Sequence, residues 1–120
     1  MRTGNVVAIV LLASVLNLFA GVETVVIANV QVSKDLSGIV LDPAGEPIPG
    51  AAVIEITQDR QTNLRSTTAD SEGKWSLTPI ASRKIYYLRF VKPNFNTVEV
   101  RLKLDTKKGK SFAVTLPLST

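Results

Sequence analysis

The sequence predicts an all-β protein: a two-sheet antiparallel sandwich of seven short strands behind an apolar N-terminal segment. Three observations predict it. Turn residues recur about every 8–12 residues after Lys34, the rhythm of short paired strands. The segments between them alternate apolar and polar, or are rich in β-branched and aromatic residues. No stretch after Val30 has a helical period.

A chain of 120 residues is sized for one domain. Without its apolar start about 90 residues remain, enough for a single sandwich core. There are no cysteines and no histidines. Their absence excludes disulfides, thiol nucleophiles, thiolate metal sites, imidazole ligands and imidazole bases. No cofactor is expected.

Arg2 and the uncharged run Val6 to Leu16 have the form of a secretory leader: a basic start, an apolar middle, a small-residue cut site. The expected cut follows Ala28, with Val26 three positions before the bond; a cut after Ala20 puts bulky Leu18 there instead. The alternative is an uncleaved anchor, since Val6 to Val22 is 17 residues, the lower limit for a span, interrupted by Asn17. Residues 1–28 are thus read as leader, 29–35 as a short linker and 36–120 as the domain, secreted or periplasmic. A membrane contact is expected only if the leader stays. The net charge is +4, and the expected cut removes one cation and one anion, Arg2 and Glu23, leaving it unchanged.

The first strand runs from Leu36 to Leu41. In Asp42-Pro43-Ala44-Gly45 the Asp caps, the Pro presets φ and the Gly ends a type I turn. Pro47-Ile48-Pro49-Gly50 has two residues that cannot donate to a ladder, so it belongs at a sheet edge. Ala51 to Thr57 is the second strand and Leu64 to Thr68 a third. Asp70-Ser71-Glu72-Gly73 is another tight turn, before a fourth strand, Lys74 to Leu77, carrying Trp75. Lys84 to Val91 is the fifth. Lys92-Pro93-Asn94-Phe95 turns the chain, with Asn94 in the left-handed region. Thr97 to Leu104 alternates with Val98, Val100, Leu102 and Leu104 on one face, Glu99, Arg101 and Lys103 on the other. Ser111 to Leu118 alternates again, with Phe112, Val114, Leu116 and Leu118 inward.

Two runs, S-G-I-V-L-D-P-A-G-E-P-I-P-G-A-A-V from Ser37 and A-D-S-E-G-K-W-S-L from Ala69, carry a resemblance. With Tyr86, Leu88, Pro93 and Phe95 they resemble the carboxypeptidase regulatory-like domain. The matching positions include Gly38, Asp42, Gly45, Pro47, Gly50, Asp70, Gly73 and Trp75. The resemblance covers about Leu36 to Leu118. It implies a transthyretin-like, Greek-key sandwich and a non-catalytic structural or interaction role in secreted and envelope proteins. Three departures from the pattern, at four positions, stand out. Asn94 stands for a glycine, and Arg83-Lys84 for Pro-Gly. Glu55 falls where alternation from Ala51 and Val53 places an inward apolar residue. A β-bulge near Ile54 is expected to turn Glu55 outward.

The same fold carries a hydrolase family that relies on histidines, and this chain has none. Asp42, Asp70 and Glu72 are turn carboxylates, and turn capping accounts for Asp42 and Asp70 better than a Ca²⁺ site. Related adhesin sandwiches form an isopeptide bond; Lys34 and Glu55 would supply two parts, but Ser111 to Thr120 has no Asn or Asp to supply the third. Trp75 is read as core. On the fifth strand Tyr86, Leu88 and Phe90 face in, leaving Ile85, Tyr87 and Val91 outside beside Arg89. Ile39 and Leu41 are outward on the first strand. If these strands share a face, they form an apolar patch for a partner protein or, through Tyr87, a glycan; cover by a loop or the N-terminal segment is the alternative. Arg101, Lys103, Lys107, Lys108 and Lys110 form a basic edge, read as one that discourages sheet-to-sheet aggregation; contact with anionic envelope polymers or phosphorylated lipids is the alternative. An exported chain with no reading helix or stacking platform is not expected to bind nucleic acid.

Overall fold

The computed structural model describes residues 23–119. The apolar run of the expected leader lies outside them. Eight strands and no helix make up the described chain: β1 (Thr24–Val26), β2 (Gln31–Leu41), β3 (Ala52–Ile56), β4 (Asn63–Thr68), β5 (Lys74–Ser76), β6 (Ile85–Val91), β7 (Thr97–Leu104) and β8 (Lys110–Thr115). All seven expected strands are present. The eighth, β1, lies within the expected leader, and β2 begins at Gln31, inside the expected linker.

The strands form two layers joined by β2. One layer runs β4-β3-β6-β7, with antiparallel pairs throughout. The other is β5-β2-β8. The first residues of β2 pair with the end of β7, Gln31 opposite Leu102, before the strand shifts register between Ser33 and Gly38 and enters the second layer. A strand that changes sheets at an irregularity is how sandwich corners are made. The sheet is mixed, which corrects the expected all-antiparallel pairing: β1 and β2 run parallel to β7, and β2 runs parallel to β8. Those neighbours are far apart in sequence, so no hairpin dictates their direction.

Inward side chains of both layers fill the space between. Leu36, Val40, Trp75, Phe112 and Val114 come from one side, and Val53, Tyr86, Leu88, Phe90, Val98, Val100 and Leu102 from the other. Trp75 meets Phe90 edge-on at 5.6 Å and Phe112 at 6.4 Å. Such pairs add about 0.5–1.5 kcal/mol each beyond area burial. Gly38, paired with both Trp75 and Phe112, is small for a reason. A Cβ there would lie 2.6 Å from the Phe112 carbonyl oxygen and 3.0 Å from its ring.

The turns form as their residues dictate. Asp42 Oδ1 accepts the Ala44 and Glu46 N–H groups, both at 2.9 Å, and the Gly45 N–H closes the turn on the Asp42 carbonyl. Asp70 repeats the arrangement with Glu72, Lys74 and Gly73. Gly73 has φ +77° and packs where a Cβ would be 2.8 Å from the Val40 carbonyl. Asn94 takes φ 76°, as expected. Pro47 bridges Leu41 at the edge of the second layer, while Gly50 turns the chain into β3. Leu118 departs from the expectation: β8 ends at Thr115, and Leu118 is 58% exposed. Pro117 breaks the ladder before it.

Candidate functional site

Glu55 stays inward. It is 2% exposed on the core face of β3, in unbroken register opposite Leu88. The irregularity in this hairpin lies on β4 instead, where Asn63 pairs with Ile56 and Arg65 with Glu55, leaving Leu64 out of step. The expected outward Glu55 is therefore corrected. The carboxylate is compatible with the interior because two guanidinium groups reach it. Arg65 Nε donates to Oε1 at 2.6 Å and Arg83 to Oε2. Arg83 is one of the two residues that stand where the resemblance noted from the sequence has Pro-Gly. Its guanidinium also lies 5.5 Å from the centre of the Tyr86 ring, and the Tyr86 hydroxyl donates to the Arg83 carbonyl while accepting the Ile80 N–H, both at 2.9 Å. The loop before β6 is thus fastened to the core from both ends.

The expected apolar patch divides. Tyr87, Arg89, Val91 and the 42% exposed Ile85 lie on β6 in the four-stranded layer. Ile39 lies on β2 between β5 and β8, and Leu41 farther along it between β8 and Pro47. Since both layers turn their other face to the shared core, these outer faces point away from each other. Ile39 lines a separate shallow groove of about 560 Å³ with Lys34, Thr68, Lys74 and Ser76. Charges and cover also interrupt the β6 face. Arg89 Nε donates to Glu99 Oε2 at 2.7 Å, and Arg60, from the β3–β4 turn, approaches Oε1 at 3.4 Å. Arg89 further donates to the Arg60 carbonyl at 3.1 Å. Glu99, outward on β7 as the alternation predicts, is consequently only 6% exposed.

Between this turn and the N-terminal segment a pocket of about 210 Å³ opens. Ile56, buried on the outer face opposite Tyr87, lines it with Tyr87, Gln58, Arg60 and Arg101. Its far wall is Val26, Ile27 and Ala28, and Arg101 donates to the Ala28 carbonyl at 2.8 Å. Tyr87 was legible as an outward aromatic. Gln58, Arg60 and the N-terminal wall were not, because a turn and a leader-like run carry no sign of what they fold against.

Arg101, Lys103, Lys107, Lys108 and Lys110 are all exposed along β7, the turn to β8 and the first residue of β8. Asp105 anchors that turn. The Lys108 and Lys107 N–H groups, each 3.0 Å from its Oδ1, hold its carboxyl below the usual value of 3.8. Asp70 is lowered likewise by the Lys74 and Glu72 N–H groups. These carboxylates serve their own turns. Among the described residues no group of three His, Cys, Asp or Glu side chains is placed to hold a metal ion.

The molecule is thus a two-layer β-sandwich in which a small pocket on the β6 face joins an aromatic ring, an amide and two guanidinium groups. The model of the carboxypeptidase regulatory-like domain matches residues 35–117, and the chain belongs to that family. Its domains are transthyretin-like sandwiches that serve as interaction modules and are generally non-catalytic. Comparison with curated proteins returns no match.

Proposed function

We propose that this protein is a non-catalytic interaction module of the cell envelope, secreted or periplasmic, and that it engages its partner through the pocketed β6 face. The pocket beside Tyr87 carries this reading. It has the composition of a recognition site: an apolar floor in Ile56, a ring that contributes area at little entropic cost, and donors at the rim from Gln58, Arg60 and Arg101. Ile85 extends the apolar surface along the same strand. Enzymatic chemistry has no support here. The carboxylates at the face and beneath it, Glu99 and Glu55, are each bonded to two arginines, and the chain has no histidine or cysteine.

A second reading rests on the same ring. Tyr87 with a neighbouring amide and guanidinium groups also suits a sugar, which would make the protein a carbohydrate-binding accessory domain. The experiment that separates them is a pull-down from envelope extract, analysed for both proteins and glycans. The proposed function predicts capture of a protein, lost in Tyr87→Ala and kept in Lys107→Ala. An enriched glycan without protein would replace it with the second reading. Capture that survives Tyr87→Ala but fails when Lys107 and Lys108 are both changed to Glu would move the site to the basic edge.

A further inference from the structure

We infer that residues 23–28 remain with the mature domain, so that any leader cleavage falls before Glu23 and not after Ala28. The inference extends the export reading above to the position of the cut. It rests on what this segment does in the fold.

β1 lies parallel to β7, with Thr24 opposite Thr97, Val25 opposite Val98 and Val26 opposite Glu99. Hydrogen bonds frame the ladder. The Thr97 N–H donates to the Glu23 carbonyl and the Ile27 N–H to the Glu99 carbonyl, both at 2.9 Å. The Glu23 N–H reaches Asn96 Oδ1 at 3.2 Å, and Arg101 holds the Ala28 carbonyl. Side chains follow the same pattern. Val25 and Ile27 pack against the core, and Val26 shares the face of Glu99. Farther along β7, Gln31 and Val32 continue the same edge opposite Leu102 and Lys103. β1 and the start of β2 therefore act as one interrupted edge strand covering the length of β7.

A cut after Ala28 would discard the first half of that strand. The Thr97 N–H and Glu99 carbonyl would lose their partners, and the seats of Val25 and Ile27 would open to water. The edge of β7 would become a free template for another chain. The pocket beside Tyr87 would lose a wall. Leader peptidases act before the chain folds, so the folded state cannot block the bond at Ala28. The retained strand instead requires another site, and a cut after Ala20, a small residue three positions before Glu23, leaves β1 whole.

The test is to express the full 120-residue chain in an exporting bacterial host and to weigh the product of each cell fraction intact. The expected exported species begins at Gly21, or keeps its apolar segment in the membrane fraction. An exported, folded product that begins at Asn29 overturns the inference while leaving the export reading in place. A chain found uncut in the cytoplasm defeats the export reading instead. Amide exchange on that chain then decides the inference: slow exchange at Ile27 and Thr97 supports it, and exchange at the unprotected rate at both overturns it.

Discussion

At the scale of single residues, Glu55 sets the terms. A carboxylate in a sandwich interior is tolerated only when its oxygens are bonded and its charge is met. Arg65 and Arg83 do both, and they come from elements on either side of β5 in the sequence, so the ion pairs tie β4 and the loop before β6 to β3. Removing the anion leaves two guanidinium groups facing each other at the core edge. Glu55→Ala is expected to cost about 3–5 kcal/mol. Arg83→Ala is expected to cost less, about 1 kcal/mol, because its side chain is 40% exposed and Arg65 stays in place. Urea denaturation of the three proteins checks this. Equal losses in the two variants would mean that Arg83 carries the pairing and that Arg65 is incidental.

At the scale of elements, the turns make a prediction about acid. Asp70 and Asp105 each accept two backbone N–H bonds with one carboxylate oxygen, and both titrate below 3.8 in the folded chain. Their folded values lie beneath their unfolded ones. The stability they contribute is therefore present above the unfolded value and is lost as pH falls through the folded value. The urea midpoint should hold steady from neutral pH to about 5 and then fall. Asp70→Asn with Asp105→Asn keeps the accepting oxygens but not the titration, so the fall should be shallower. An unchanged pH profile in the double variant would place the acid sensitivity elsewhere. These turns were legible because Asp, Pro, Asn and Gly act on their own backbone, within four residues. The alternation of β6 and β7 was legible too, and with it the core of Tyr86, Leu88 and Phe90. Glu55 was misread because the compensating charges stand ten and 28 residues away. Alternation along one strand can report which way a side chain points, but not what meets it there. The division of Ile39 and Leu41 from Tyr87 was hidden for a related reason: no local feature tells which layer a strand joins.

At the scale of the whole molecule, β2 makes one unit of two layers. Its first residues complete the β7 edge, and its last ones lie between β5 and β8. Neither layer can lose this strand without the other losing a neighbour. Trp75, the only tryptophan, is on the second layer and touches Phe90 of the first. Its fluorescence therefore reports the joint between the layers, while far-ultraviolet circular dichroism reports strands in both. The two signals should change together in urea as a single transition with one midpoint, as for a two-state domain of this size. Separate midpoints would show that the four-stranded layer persists alone and that the corner in β2 is not the joint. The kinetics follow from the same strand. The pairings of β1 and β2 with β7 join segments about 70 residues apart, as the Glu23–Asn96 bond does across 73. Closing such loops before any packing rewards them is slow, so refolding in the range of about milliseconds to seconds is expected. Stopped-flow tryptophan fluorescence measures it. A phase complete within microseconds would mean that Trp75 reaches Phe90 before β2 has found β7, and that the antiparallel hairpins alone build the core.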